Sequence, residues 1–434
     1  MTGPRLQEDL ADIILRWRKH KYVMTADIEK MYRQVWINKD DRNYQRILWR
    51  NDPAKPIKVY RLNTVTYGTT AASFLAVRAL LQLAEEGCKL YPKATEIIKM
   101  DFYVDDLLTG GDSIEKNLSA LRELIIITKE GGFNLRKWSS NHEEILKNIP
   151  TELQGAGNVH IKLNECIKTL GILYNPKEDT FEFDVDKLQI ATGQSTKRSL
   201  LADSSKLFDP VGWLAPITIS TKILMQETWT SGIGWDEQLT EKINAKWLKY
   251  KNEMNAIGDI KIPRWVNTTK LSQKELHGFS DASEYAYAAA VYCRTTDEAG
   301  RITTCLLMAK TRVAPIKIKL SIPRLELNAA LLLAKLMRHI QLAMRLSNYH
   351  TYAWTDSMIV LSWIKGEPNR FKTFVANRIS PIKENLPSTT WHHIRSQENP
   401  ADIASRGITP RELVNHHLWW HGPSLLHCMS PRWK

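Results

Sequence analysis

Two sets of acidic side chains in this 434-residue sequence have the types and surroundings to hold divalent cations. In the first, Asp27 ends the strand-like run VMTAD, and Asp105 and Asp106 occupy the tip of FYVDDLLTGG. In the second, Asp281 lies in GFSDAS, Glu326 opens the helical pattern PRLELNAALLLAKLM, Asp356 closes YAWTD, and Asp402 lies in NPADIASRG. Hard cations such as Mg²⁺ or Mn²⁺ prefer carboxylate oxygens. A pair of them activates an attacking hydroxyl or water and steadies the leaving oxygen of a phosphate ester. The chemistry open to the two sets is therefore nucleotidyl transfer and phosphodiester hydrolysis.

The acids can converge only if strands and helices carry them to one place. Residues 5–20 space Leu6, Leu10, Ile13, Ile14 and Trp17 at helical intervals before the strand ending at Asp27. The run IIKMDFYV reads as a second strand, meeting LLTGGDS across the paired aspartates in a hairpin with acids at its tip. Acids at a turn are usually solvated, but Tyr103, Val104, Leu107 and Leu108 crowd these two, so the turn should sit against protein. A helix then runs to Gly131-Gly132, and TLGILYNPKEDTFEF forms short strands turning at Asn175-Pro176. Further on, ELHGFSDASEYAYAAAVYCR and RITTCLLMAKTRV predict strands, followed by a helix from Arg324, the strand HTYAWTD and another helix, an α/β layer pattern. Helical spacing puts Glu326 on the face of Ala329, Ala330, Leu333 and Met337, where a lone carboxylate would be costly. A helix-start acid favoured by the macrodipole accounts for Glu326 but not for the other three acids.

The length calls for several folding units. Lys and Arg exceed Asp and Glu by 60 to 47, a formal net charge of +13, which favours polyanionic partners. The 43% hydrophobic and 25% charged composition is that of a folded chain. Cys88, Cys166, Cys293, Cys305 and Cys428 include no CxxC pair, so neither a disulfide framework nor a zinc site is indicated. No apolar run approaches the roughly 20 residues of a membrane span, and the expectation is an intracellular, soluble protein with no membrane partner.

TADIEKMYRQVWI and FYVDDLLTGG resemble the two metal-binding motifs of reverse transcriptases in order and separation, with GGFNLRKW and TLGILY resembling later palm motifs. TVTYGTTAASFLAVRAL resembles the helix-opening motif that supports template and incoming nucleotide, and KLFDPVGWLAP brings the whole phrase order closest to the BEL/Pao group of long-terminal-repeat retrotransposons. The four later acids resemble those of ribonuclease H. The resemblance implies that Asp27, Asp105 and Asp106 bind metal for polymerisation, and that Asp281, Glu326, Asp356 and Asp402 bind metal for hybrid cleavage. It implies two Mg²⁺ (or Mn²⁺) ions per site. Tyr32 would exclude a ribose 2′-hydroxyl, Tyr67 and Gly68 would face the template, and Lys137 would lie near the triphosphate. Ser73 stands where relatives commonly have proline. The mobile histidine of many ribonucleases H has no match, because Arg395 aligns near its place and His392 and His393 fall within an expected strand.

The resemblance further implies a multidomain α+β and α/β chain. Residues 1–189 would form a palm with only the end of the fingers, 190–270 a thumb or connection region, 271–410 a ribonuclease H-like domain, and 411–434 a tail or linker. Implied partners are an RNA template, a DNA primer, RNA–DNA hybrid, dNTPs and other Gag-Pol products, in the cytoplasm within virus-like particles. The rival reading is a truncated, catalytically decayed nucleic-acid-binding remnant; the presence of all seven acids argues against it. An aspartic peptidase would need an Asp-Thr/Ser-Gly triplet, which does not occur.

Overall fold

The computed structural model describes residues 3–161, 171–185, 195–346 and 349–429. Cys166, the first two residues of TLGILY and the expected boundary at 189/190 lie outside the described residues. The chain divides into two compact units, Met1–Val159 and His160–Lys434. Both mix helices and strands. Among the described residues no helix is long and apolar enough to cross a membrane, and Cys88, Cys293, Cys305 and Cys428 are free thiols.

The first unit is built on a four-stranded sheet in the order Phe102–Tyr103, Asp106–Gly111, Tyr22–Ile28, Leu135–Ser140, with antiparallel neighbours throughout. Side chains alternate along Tyr22–Ile28. Met24, Ala26 and Ile28 enter a buried cluster with Ala76, Leu80, Ile98, Leu121 and Leu124, supplied by the helices Ala72–Gly87, Pro92–Met100 and Ile114–Glu130. Asp27 therefore belongs to the opposite face. Helix Leu10–Trp17, shorter than the expected 5–20, anchors the sheet, and the Trp17 indole donates to the Thr109 carbonyl (3.0 Å). The run IIKMDFYV departs from expectation: its first half is the end of helix Pro92–Met100, and only Phe102–Tyr103 is strand. Short apolar runs carry no decisive period; here Pro92 starts a helix that buries Ala94 and Ile98. Strands Arg46–Trp49 and Lys58–Arg61 form a separate antiparallel ribbon, exposed along its whole length.

The second unit holds a five-stranded sheet in the order Ile302–Val313, Ala286–Thr296, Gln273–Ala282, His350–Thr355, Thr390–His393. The first three strands are antiparallel to one another in turn, and the last two run parallel to Gln273–Ala282. Both faces are covered, which is why Ala286–Thr296 reads as an unbroken apolar run rather than an alternating one. Gly278 faces helix Ile322–Ala343 so closely that a Cβ would lie 2.5 Å from Met337 Sδ. Phe279 meets Tyr292 edge-on, and the Tyr292 hydroxyl donates to the Trp419 carbonyl (2.7 Å).

The outer edge of this sheet is capped rather than left open to strand addition. The Ala309 N–H donates to the Val211 carbonyl (2.9 Å), and Gly212 follows with φ +79°, where a Cβ would lie 1.9 Å from the Ala309 oxygen. Helices Lys197–Ser204, Ala215–Thr230 and Glu241–Glu253, from the stretch expected as a connection, belong to the same compact unit as the sheet. So do residues 411–429, expected as a tail or linker. Trp419 and Leu426 are fully buried. The buried Arg294 bonds Glu275 (2.9 Å) and also the carbonyls of Leu426 (2.7 Å) and Cys428 (2.9 Å), bolting this segment to the sheet. Aromatic and histidine content alone says nothing about burial, so this packing has no local signature.

Candidate active sites

In the first unit the strand register sets Asp27 opposite Asp106, and the Ile28 N–H donates to the Asp105 carbonyl (2.9 Å). Tyr103 pairs with Asp106 across a two-residue turn in which Val104 has φ +58°. A β-branched residue in the left-handed region is strained, and such strain gathers where structure serves function. From the other neighbouring strand Lys137, also at positive φ (+53°), turns its ammonium onto Asp27 Oδ2. That hydrogen bond raises the Lys137 pKa, and the charges of Asp27, Asp106 and Asp105 add to it while desolvation opposes. An ammonium thus sits where three carboxylates concentrate negative charge. The second Asp27 oxygen, Oδ1, is buried without a hydrogen-bond partner.

Tyr32, Tyr67 and Gly68 form a second group in this unit. The Tyr32 and Tyr67 rings lie 4.7 Å apart, and the Tyr32 hydroxyl shares a 2.8 Å hydrogen bond with Ser73 Oγ. A proline at position 73 could not make that bond. Gly68 has φ +83° with open space around it, so backbone conformation rather than crowding favours glycine there.

In the second unit, Ser280 and Thr355 are register partners on parallel strands, so Asp281 and Asp356 follow side by side at the strand ends, roughly one strand spacing of 4.8 Å apart. Asn399 places the third acid. It caps helix Pro400–Arg406 by accepting from the Ala401 N–H, and its amide donates to the Ser280 carbonyl (3.0 Å), which ties Asp402 to the strand bearing Asp281. Glu326, half-buried on helix Ile322–Ala343, lies close enough to Asp356 for their charges to interact.

Burial pushes the Asp281 pKa up to about 7, with the charges of Asp356 and Asp402 adding to the shift and the Ser405 hydroxyl bond opposing it. Burial likewise raises Glu326, against a hydrogen bond from Ser357. Among the described residues no three His, Cys, Asp or Glu side chains converge tightly enough to grip an ion. Each of the three aspartates has one oxygen engaged by a neighbouring donor. Ser405 donates to Asp281, Ser396 to Asp356 Oδ2 (2.6 Å), and Arg406 to Asp402 Oδ1 (2.6 Å). Yet Asp356 Oδ1, like Asp27 Oδ1, is buried with no partner. A buried carboxylate oxygen left unsatisfied is expensive, and a hard cation satisfies it. The residues present fit divalent ions in both units.

Sequence reasoning passed over Ser357, Ser396, Ser405 and Arg406. Ser405 and Arg406 could have been found, since they lie three and four residues after Asp402 and share its helical face. Ser396 could not, because its approach to Asp356 depends on packing between distant segments. His392 and His393 lie within strand Thr390–His393, His392 stacking on Trp354 at 4.9 Å.

Residues 196–357 match a family model described as the Pao retrotransposon-like RNaseH-like domain. No curated protein matches the chain in sequence. Three solved structures are similar in fold. A foamy viral protease-reverse transcriptase dRH in complex with ds DNA superimposes with TM-score 0.55 at 16% identity, over 91% of this chain and 60% of that one. The foamy viral protease-reverse transcriptase in complex with RNA/DNA hybrid gives 0.55 at 14%, over 91% and 46%. Its complex with dsDNA gives 0.53 at 15%, over 91% and 72%. The chain thus spans 60% and 46% of the length of the first two of these structures.

Proposed function

We propose that this chain, a retroelement protein consistent with a fragment of a BEL/Pao-type Pol polyprotein, is an RNA-directed DNA polymerase joined to a ribonuclease that cuts the RNA strand of RNA–DNA hybrids. The observation that carries this reading is the meeting of Asp281, Asp356, Asp402 and Glu326 at one end of a sheet, largely within the stretch that matches an RNaseH-like family. The facing pair Asp27 and Asp106 supports the polymerase half, for which the unit Met1–Val159 would be a palm with the end of the fingers.

Asp281, Glu326, Asp356 and Asp402 would hold Mg²⁺ or Mn²⁺ in the second unit, as Asp27, Asp105 and Asp106 would in the first. Such ions lower the pKa of an attacking water or primer hydroxyl and stabilise the leaving oxygen. The protein's own part is positioning. Ser405 fixes the carboxylate of Asp281, Ser396 that of Asp356 and Arg406 that of Asp402, so the acids need little reorganisation as charge develops. In the polymerase half, Lys137 neutralises Asp27 and would lie near the triphosphate. Tyr32, braced by Ser73 and Tyr67, stands against the ribose 2′-hydroxyl, and Tyr67 with Gly68 meets the template. The substrates would be dNTPs, a DNA primer on an RNA template, and the hybrid it produces, acting beside other Gag-Pol products in cytoplasmic virus-like particles.

The test crosses two variants with two assays. Asp27→Asn should silence primer extension on RNA and leave hybrid cleavage intact, and Asp356→Asn should do the reverse. A parent chain that binds hybrid but performs neither reaction would establish a decayed nucleic-acid-binding remnant instead.

A further inference from the structure

A cavity of about 440 Å³ opens in the second unit between helix Lys197–Ser204, helix Ala215–Thr230 and the edge strand Ile302–Val313. Its lining is unusual for a packing defect, because it carries two lysines, Lys222 and Lys310, with the hydroxyl residues Ser204, Ser205, Thr218 and Thr311. Among the described residues neither lysine ammonium makes a hydrogen bond or an ion pair. Both residues are exposed to solvent. Desolvation draws the Lys222 pKa below its ordinary value and Lys310 repels it further, while Asp209 acts in the opposite direction.

Asp209 is the one carboxylate in this lining, and its charge is already engaged. It accepts the N–H groups of Gly212 (2.8 Å), Trp213 (2.9 Å) and Leu214 (2.6 Å). The hydroxyls of Ser204, Ser205 and Thr218 donate to the carbonyls of Leu201 and Ala215; what remains for a ligand is the excess of positive charge, which suits phosphate oxygens.

The placement of the cavity selects among phosphate sources. Asp281, Ala288 and Thr311 are aligned across three adjacent strands, which sets Thr311 roughly 10 Å from Asp281. At roughly 3.4 Å of rise per nucleotide that is about three nucleotides of one strand. A duplex lying over the acid cluster would bring a backbone phosphate to the cavity.

We propose that this cavity is a phosphate-binding site, in which Lys222 and Lys310 take a backbone phosphate of the RNA–DNA hybrid a few nucleotides from the scissile bond. The duplex is then held at two points, at the acids and at the lysine pair, and its register over the acids is fixed by the separation between them. Neither lysine touches the reacting atoms; both are positioning residues. The identity of the duplex rests on the functional reading above, whereas the phosphate chemistry does not.

The test measures hybrid affinity by fluorescence anisotropy across a salt series for the full chain, Lys222→Gln with Lys310→Gln, and the charge-preserving pair Lys222→Arg with Lys310→Arg. Losing the one phosphate held by both lysines should reduce the slope of log K against log salt by roughly 1 and weaken hybrid binding about tenfold at physiological salt. The arginine pair should restore most of both. A glutamine pair with unchanged melting temperature, slope and affinity would overturn the site. Inorganic pyrophosphate, followed by thermal shift, separates the sources. If it stabilises the parent and not the glutamine pair while hybrid binding is unaffected, the site takes free phosphate and the nucleic-acid assignment is wrong. A parent that binds no hybrid at any salt would sink the functional reading, and the phosphate site would then stand or fall on the pyrophosphate arm.

Discussion

Replacing Asp281 with Asn should make the metal-free protein more stable, and increasingly so as pH rises. The folded Asp281 titrates at about 7 against an ordinary carboxylate value of 3.8, because the folded chain buries it among other acids. A folded pKa above the unfolded one contributes stability that is fully present below pH ~4 and is lost as pH rises through ~7. Compared with a neutral isostere, the aspartate costs roughly 2 kcal/mol at pH 5 and roughly 4 kcal/mol at pH 8, at about 1.4 kcal/mol per pH unit between the two pKa values. For a unit of this size each kcal/mol moves the melting temperature by about 2–4 °C. The variant should therefore melt roughly 10 °C above the parent at pH 8, with about half that gap at pH 5. Saturating Mg²⁺ should narrow the gap at pH 8, because only the parent gains the full binding energy of the ion. Differential scanning calorimetry at both pH values, with and without Mg²⁺, reads all of this. Parent and variant melting together at pH 8 would refute the claim that the folded site stores charge for a cation.

Three further outcomes follow from the packing. Gly212→Ala forces a Cβ into the Ala309 carbonyl at positive φ, and strain of this kind plus the lost edge bond should cost roughly 3 kcal/mol or more, read as a fall in denaturant midpoint. Arg294→Ala leaves Glu275 buried without its charge partner and releases the carbonyls of Leu426 and Cys428; a loss of about 3–5 kcal/mol is expected, with faster hydrogen exchange in residues 419–428. Ser73→Ala removes the brace on the Tyr32 hydroxyl, and at about 1 kcal/mol for such a bond discrimination of dNTP over NTP in primer extension should fall on the order of fivefold; unchanged selectivity would detach Ser73 from the ribose site.

What was legible in the sequence was whatever depends on local pattern. The acid-tipped hairpin, the helix ending before Gly131-Gly132 and the strand carrying Asp281 all announce themselves through apolar period and turn residues. The pairing of Asp281 with Asp356 was legible only as a list of acids in order, since the parallel register of their strands is a long-range fact. IIKMDFYV departs from the strand expected of it because a short apolar run suits helix and strand equally. Burial of residues 411–429 depends on Arg294 and Tyr292, more than a hundred residues earlier in the chain, reaching their carbonyls. Ser396 was invisible for the same reason, because its bond to Asp356 joins segments forty residues apart.

The most direct test of the account is cleavage of the RNA strand in an RNA–DNA hybrid by the parent and by Asp281→Asn, each with Mg²⁺ and with EDTA. Because the variant is expected to be the more stable of the two, loss of activity cannot be put down to misfolding. The parent should cleave with Mg²⁺ and not with EDTA, and Asp281→Asn should cleave under neither condition. A variant that melts higher and still cuts the hybrid at the parent's rate would contradict the assignment of this acid cluster as the hydrolytic centre.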